Sequence, residues 1–398
     1  MGNYTMKKPC ILIMLHCEQD TGYAIGSLER AFEAAALRAG YESNQILWSY
    51  TQVVTPSDKT FQMGYYTSED AEMLASIHKV HTIDTILAFD MPYPTPVGRQ
   101  AHILGIKNIV SYWGASMSSI NTGVKWLAKK AEWIFRKASA PTRFIFESEA
   151  MRLTATKGRG VPNGRTCVIS LGVDTDLYKP CEGSKYAHSQ FNIPEHRRII
   201  FFSGHMEERK GVRVLVETMN SLDRIGKIEP FHLLICGNKG NESLPYEQLA
   251  SNPKTRSHIT FAGYRNDIPQ LMQSSFLGAI ASTGWDSFTM SSVEMLSSGL
   301  PIIVSELQGL KETIEPGICG EYIEPGKASQ LAQHILNYNN DPDRYTTHCI
   351  EARRRATNLF SKETQIERIA HELISGRSRN QHTETGAPSK SYAPEGPQ

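Results

Sequence analysis

The segment Phe201-Phe202-Ser203-Gly204-His205-Met206-Glu207-Glu208-Arg209-Lys210-Gly211 runs from an apolar stretch into a glycine-flanked loop that ends in two adjacent cations. A helical pattern follows near 211–222, and a helix N-terminus itself attracts negative charge. Arg209 and Lys210 in that position make a clamp for a diphosphate, one offering a charged fork of donors and the other a point charge. Taken alone, such a pair is also what an ordinary solvated charge cluster looks like. A second segment strengthens the clamp. The apolar run Leu277–Ala281 leads through Ser282-Thr283-Gly284-Trp285-Asp286-Ser287-Phe288 to Thr289-Met290-Ser291, and on to Glu294 in the first turns of the next helix. Carboxylates such as Asp286 and Glu294 suit paired sugar hydroxyls, because each oxygen accepts two hydrogen bonds. The amides of Thr289 to Ser291, where the helix begins, suit phosphate. A sugar nucleotide presents both groups.

These loops need a scaffold, and the hydrophobic pattern supplies one. Apolar runs at Cys10–His16, Asn44–Tyr50, Asp84–Met91, Asn108–Trp113 and Arg143–Glu147 alternate with helical stretches near 27–39, 68–80, 98–105 and 120–139. Short buried strands alternating with helices predict a doubly wound parallel sheet. After the strand Cys167–Ser170 the stretch Leu171–Lys185, broken by Pro180 and Gly183, reads as a linker. A second series then begins: Arg198–Ser203, Phe231–Cys236, His258–Ala262, Leu277–Ala281 and Pro301–Val304 alternate with helices near 211–222, 267–274 and 291–298. The chain is therefore α/β, with two Rossmann-like domains in tandem and chemistry expected on the loops at the carboxyl ends of the strands. Helical stretches near 328–338, 342–357 and 361–375 follow, and the Gly-, Pro-, Ser- and Thr-rich tail 376–398 reads as disordered.

Composition narrows the function classes. The 398 residues carry 42 Lys plus Arg against 41 Asp plus Glu, a net charge of +1, so no bulk basicity argues for nucleic acid as a partner. Seven scattered cysteines without a C-x-x-C pair read as reduced thiols of a cytosolic chain. Cys10, His16 and Cys17 crowd one segment, but buried strand thiols explain it better than a metal site, which would need further ligands. No apolar run reaches the roughly 18 residues of a membrane span, so the expected location is cytoplasmic.

The ordered motifs resemble the GT-B glycosyltransferases of family 4, the glycosyl transferases group 1. The family's Glu-x7-Glu motif reads here Asp286-x7-Glu294, continuing to Gly299-Leu300-Pro301-Ile302. Its Gly-Arg-x4-Lys-Gly loop is similar to Gly204-His205-x4-Lys210-Gly211, its Phe-x-Gly-x-x-x-Asp-Ile to Phe261–Ile268, and its domain-junction motif to Val168–Tyr178. The resemblance spans about 140–325 well and the first domain in outline. It implies a GT-B fold with two Rossmann-like domains facing across a cleft: 1–178 binding the acceptor, 179–360 binding the nucleotide sugar, then a C-terminal helix 361–375 and the tail. It further implies transfer of a hexose-type sugar from a nucleoside diphosphate, a UDP- or GDP-sugar, to the hydroxyl of a small-molecule or glycan acceptor, with retention at the anomeric carbon, the leaving phosphate taking the acceptor's proton, and neither metal nor cofactor.

Carried over by residue, the resemblance assigns Lys210 to the donor diphosphate, with Arg209 beside it; His205 stands where the family has an arginine. Glu294 falls on the acid that holds the ribose hydroxyls, and Asp286 on the sugar-side glutamate. Phe288, Thr289 and Met290 form the phosphate loop, with Ser287 and Thr289 replacing family glycines, and Tyr264 and Arg265 lie near the base. Gly22, in the first strand-to-helix turn, either shapes that turn or lends amides to an anion. Trp113, which follows the strand where the family often has a histidine, either stacks on an acceptor sugar or belongs to the core. Asp174-Thr175-Asp176 has the form that metal-dependent transferases use, but its place at the junction makes it structural. The helix 123–138 has an apolar stripe of Val124, Leu127, Ala128, Ala131, Ile134 and Phe135, and a second line in which Trp126 and Trp133 interleave with lysines. The tryptophan line suits the interface of an anionic membrane at its inner face, but a surface helix of the first sheet with a solvated basic face is the simpler explanation. Competing readings are a sugar-nucleotide epimerase, which would consume donor without acceptor; a phosphorylase, which would need phosphate; and a lapsed binder of nucleotide sugars.

Overall fold

A computed structural model describes residues 8–385. The chain folds into two compact units. The first comprises the described residues up to Phe146, Arg152–Ile169 and those from Ile366 onward; the second comprises Glu147–Met151 and Ser170–Gln365.

The first unit is built on seven parallel strands: β1 (Cys10–Leu15), β2 (Ile46–Tyr50), β3 (Thr60–Gln62), β4 (Ile83–Phe89), β5 (Asn108–Trp113), β6 (Arg143–Phe146) and β7 (Thr166–Val168). All six residues of β1 are buried, as expected of a strand covered on both faces, and this explains its unbroken apolar run. The order β3-β2-β1-β4-β5-β6-β7 reverses the winding between β1 and β4. In register, Leu15 pairs with Phe89 and Phe89 with Tyr112, so the carboxyl ends of β1, β4 and β5 finish level with one another. The short edge strand β3 carries no apolar run of its own and was not expected from the sequence.

The last helix, Lys362–Thr385, begins in the second unit and ends in the first. Ile369, Ala370 and Leu373 enter the core beside Ile11, Ile13, Leu15 and Phe32. Arg143 grips Glu372 with two bonds, Nε to Oε2 at 2.7 Å and Nη2 to Oε1 at 2.9 Å. Two expectations are corrected here. The helix continues ten residues past 375, through Gly376, where a Cβ would lie 2.0 Å from Asn108 Oδ1, and it completes the first unit's core. The rest of the expected tail, 386–398, lies outside the described residues.

A third correction concerns Gly123–Arg136. Its tryptophan line faces inward: Trp133 is buried edge-on against Tyr93 at 5.2 Å, and Trp126 donates from Nε1 to the Thr156 carbonyl at 3.2 Å. Flat aromatic rings with a polar handle can fill a partly polar contact that branched aliphatics cannot satisfy. The aliphatic stripe is therefore the outward one, with Val124 82% and Phe135 85% exposed and Leu127 and Ile134 also open to solvent.

The second unit holds six parallel strands, β8 (Arg198–Ser203), β9 (Phe231–Cys236), β10 (Ile259–Phe261), β11 (Leu277–Ile280), β12 (Ile302–Ser305) and β13 (Gly320–Ile323), in the order β10-β9-β8-β11-β12-β13. Winding reverses between β8 and β11. The expected linker at 171–185 is packed structure instead. Val173 pairs in parallel with Ser361, its N–H bonding the Phe360 carbonyl at 2.8 Å, and Val173 and Tyr178 are buried in the unit's core. Asp174 accepts from the amides of Asp176 (3.1 Å) and Leu177 (3.0 Å) and from Lys362 Nζ (2.7 Å), bonds that hold its carboxyl below the usual carboxylate range. Those contacts are the structural role expected of the junction.

Because Leu373 is fully buried in the first unit's core, Leu373→Ala should destabilise that unit by about 2–5 kcal/mol. Urea unfolding followed by first-unit tryptophan fluorescence checks this; an unchanged midpoint would mean the helix merely lies on the surface.

Candidate functional site

In an open parallel sheet, ligands bind where the winding reverses, outside the carboxyl ends of the strands. In the second unit that place lies between β8 and β11, and the loops leaving these two strands are the ones carrying Arg209-Lys210 and Asp286. They are locked together. Gly211 has φ +77°, and a Cβ there would lie 1.8 Å from the Ala281 carbonyl oxygen. The Thr283 amide bonds the Arg209 carbonyl at 2.8 Å. A side chain at 211 would force the loops apart, so glycine is the residue that permits the approach.

Lys210 Nζ lies 2.9 Å and 3.1 Å from the two oxygens of Asp286, whose Oδ2 also accepts from Ser282 Oγ at 2.6 Å. Asp286 is 4% exposed, so the carboxylate is nearly dry and its pairing is what makes its charge tolerable. An ammonium carries three donors, and the pairing fixes its position while leaving capacity for an anion. Arg209 spans the same loops: Nε to Glu207 Oε2 at 2.6 Å, Nη1 to the Trp285 carbonyl at 3.1 Å, and Nη1 3.8 Å from Asp286 Oδ1. His205 is exposed in the loop.

Thr289 caps the helix Met290–Ser297, its side chain accepting from the Ser292 amide, so the first-turn amides of Met290 and Ser291 have no partner within the helix. Glu294 follows one turn on and is buried. The Phe288 side chain is turned into the core, edge-on to Phe360 at 5.0 Å, which leaves only its backbone for a ligand. Tyr264 is exposed, with Lys239 Nζ 5.1 Å from its ring centre. Arg265 is held by Asp267 (2.8 and 2.5 Å), an ion pair that lowers the Asp267 carboxyl below its ordinary range. Lys210, Arg209, His205, Asp286, Thr289 and Glu294 thus come from two neighbouring strand ends. Gly22 and Trp113 belong to the first unit.

Gly22, at φ +66°, opens the helix Gly22–Arg38. Trp113 is the last residue of β5 and is buried, its ring 6.4 Å from Phe146. It has no exposed face on which a sugar could stack. Two side chains escaped the sequence reading as site residues. Asp90, just past β4, has φ +52° and accepts from the Gly114 amide at 2.8 Å. Burial pushes its carboxyl up to about 6 despite that bond and one from Ala115. His16, just past β1, stacks on Tyr65 at 5.1 Å. The only sequence signal was that each is the first polar residue after an apolar run; their alignment needed the register.

With the geometry in hand, the comparisons with known proteins agree. Residues 185–356 match the family described as glycosyl transferases group 1. Among curated proteins, the D-inositol 3-phosphate glycosyltransferase of Corynebacterium aurimucosum is 27% identical over 184 residues, 44% of each chain, so the match spans less than half the length of that relative. Among solved structures, a glycosyltransferase from Rickettsia africae superposes with a TM-score of 0.76 at 18% identity, covering 93% of this chain and 99% of that one. Anabaena HepE in complex with UDP gives 0.71 at 19%, covering 92% and 100%. The two sheets define the GT-B fold. The second unit is a glycosyl transferases group 1 domain.

Two outcomes follow. Gly211→Ala should lower the thermal midpoint well beyond Gly226→Ala, which shares a left-handed backbone (φ +68°) but meets nothing within 4 Å; equal effects would show that the loop contact is soft. For Asp90, the unfolded carboxyl ionises near pH 4 and the folded one near 6, so folding loses stability as pH rises through that window and the cost is full above it. Asp90→Asn should therefore melt a few degrees above wild type at pH 7.5 and level with it at pH 4, by calorimetry.

Proposed function

We propose that this protein is a metal-independent, retaining glycosyltransferase of family 4 that moves a hexose-type sugar from a UDP- or GDP-sugar to an acceptor hydroxyl. The observation that carries the reading is the Lys210–Asp286 pair at 2.9 Å, fixed between two locked loops at the reversal point of the second sheet. Lys210 and Arg209 take the diphosphate, together with the first-turn amides of Met290 and Ser291. Positive groups already in place stabilise the leaving phosphate as the glycosidic bond breaks, without reorganisation during the reaction. Glu294 takes the ribose hydroxyls. Asp286, engaged with Lys210 and Ser282, aims the ammonium and offers its remaining lone pairs to the donor sugar. Backbone groups near Tyr264 and Arg265 receive the base. The first unit receives the acceptor; the inositol phosphate in the relative's name makes cyclitols the first acceptors to try.

The exposed aliphatic stripe of Gly123–Arg136 supports a second element of the reading, a peripheral contact with anionic membrane. Apolar side chains face out along one side while Lys125, Lys130 and Lys137 are exposed beside them, the arrangement of a helix lying in a lipid interface.

Nucleotide release from UDP- and GDP-sugars in EDTA, with cyclitol, glycan and lipid acceptors, tests the activity. Lys210→Ala and Glu294→Ala should each lower kcat/KM by about a hundredfold or more. Release that persists in Lys210→Ala would overturn the assignment, and donor consumed equally without acceptor would favour an epimerase. Flotation with phosphatidylglycerol vesicles should carry the wild type and leave behind Val124→Ser/Phe135→Ser; equal flotation of both, or none at low salt, ends the membrane reading.

A further inference from the structure

At the amino end of the second sheet, opposite the strand-end loops, three histidines are gathered. His232 is the second residue of β9, and His258 immediately precedes β10; Ile259 pairs with Leu233, so the two histidines lie level on adjacent strands. His188 belongs to the helix Tyr186–Phe191, whose Ala187 enters the same core as Leu234 of β9. His188, His232 and His258 are 6%, 4% and 1% exposed. Buried polar atoms ordinarily find hydrogen-bond partners, and here several do not.

The hydrogen bonds fix where hydrogens sit. His188 Nε2 lies 2.9 Å from the Arg197 carbonyl, and His258 Nδ1 lies 2.7 Å from the Phe231 carbonyl. A carbonyl only accepts, so each of these nitrogens carries a hydrogen. His232 Nε2 meets Thr260 Oγ1 at 2.8 Å. His188 Nδ1, His232 Nδ1 and Arg197 Nε are buried with no hydrogen-bond partner among the described residues. Whichever tautomer His232 holds, its imidazolium would place an N–H at that partnerless Nδ1. The neighbouring charges come from several elements. Arg197, just before β8, is tied to the Ser257 carbonyl at 3.0 Å. Glu229, just before β9, lies 3.8 Å from His258 Nε2 and is shared with Lys254 at 3.0 Å; Asp223 also faces Lys254, at 3.7 Å.

We propose that His232 and His258, covered by His188, form an acid-sensitive lock at the amino end of the second sheet, closed while the imidazoles are neutral and released when they take up protons. A charged His232 ring would be dry, would carry an N–H without an acceptor and would face the Arg197 guanidinium. Burial, with Arg197, His258 and His188 around it, pushes His232 down to about 3. Burial also lowers His258, with Arg197 and Lys254 acting in the same direction and the Phe231 carbonyl and Glu229 against it. An unfolded imidazole ionises near pH 6.5. Between there and about 3 the unfolded chain takes protons that folded His232 refuses, so stability is full above the window and is lost as pH falls into it. Strand β9 runs on to Asn238 and β10 to Tyr264 and Arg265, so release at one end loosens the frame that carries the loops at the other. The lock goes beyond the glycosyltransferase reading and holds whatever the unit binds.

Two measurements test it. Hydrogen exchange of the Phe231–Cys236 amides, corrected for the intrinsic chemical rate, is followed at pH 7.0 and 5.5 on wild type and on His232→Gln, which keeps a donor near the Nε2 position and takes no proton. Over that interval the opening constant of wild type should rise about eightfold more than that of His232→Gln, the ratio for an imidazole that protonates near 6.5 when unfolded and stays neutral when folded. His258→Asn should flatten the dependence as well. In parallel, NMR of the histidine Cε1 groups in folded wild type at pH 5.5 should show His232 and His258 neutral, where a free imidazole is about nine-tenths protonated. The spectrum needs no variant, so it decides the matter even where His232→Gln does not fold. Equal pH dependence in wild type and His232→Gln, or an imidazolium at His232 in the folded protein at pH 5.5, overturns the lock.

Discussion

The strand-end site of the second unit depends on a backbone approach that admits no side chain. Gly211 lies where a Cβ would strike the Ala281 carbonyl, so the loops leaving β8 and β11 are held as one piece before any ligand arrives. The Lys210–Asp286 pair is the electrostatic consequence. Taking both charges out of water is costly, and the cost is met by close geometry plus the Ser282 hydroxyl rather than by bulk solvent. A lysine fixed in this way loses little further freedom on meeting an anion, so its charge acts at full strength where negative charge develops. Arg209 lies on the rim of the same loop with its side chain 43% exposed; its bonds to Glu207 and the Trp285 carbonyl brace the loop and hold a second cation in reach.

The sequence made this end of the molecule legible because the relevant signals are local. A buried strand, a glycine, two cations and a helix start follow one another within the span 201–211, and the same holds for 277–294. What it could not convey was partnership across the chain. Asp286 reads as a sugar ligand until the fold brings Lys210, 76 residues away, to its carboxylate. Phe288 reads as part of a phosphate loop until Phe360 appears beneath it. The alignment of His16, Asp90 and Trp113 exists only in the register of three strands spread across a hundred residues, and no spacing along the chain encodes it.

Amphipathic patterns misled in an instructive way. In Gly123–Arg136 the aliphatic stripe is the better core candidate by hydrophobicity, yet the tryptophans face inward. Periodicity identifies which residues share a face, and does not say which face the protein covers. Here Tyr93, Phe144 and the Thr156 carbonyl offer a mixed aromatic and polar surface, which indole rings match and leucines do not. The last helix errs in the opposite direction. Its polar composition beyond 375 reads as tail, whereas the anchor at Ile369, Ala370 and Leu373 and the bidentate Arg143–Glu372 pair fix its start, and a helix once nucleated propagates at small cost per residue.

The two units carry opposite solutions to the same problem of a buried carboxylate. Asp286 is paired with a cation, Lys210 Nζ at 2.9 Å. Asp90 has amides but, among the described residues, no cation paired with its oxygens, and burial lifts its carboxyl to about 6, so at neutral pH the fold holds a charge it would be more stable without. Such a charge, on a left-handed backbone, beside an indole N–H that lacks a partner, is three departures from what folding alone would favour, gathered at one strand end. A structure selected for stability alone would place asparagine at 90 and an apolar ring at 113.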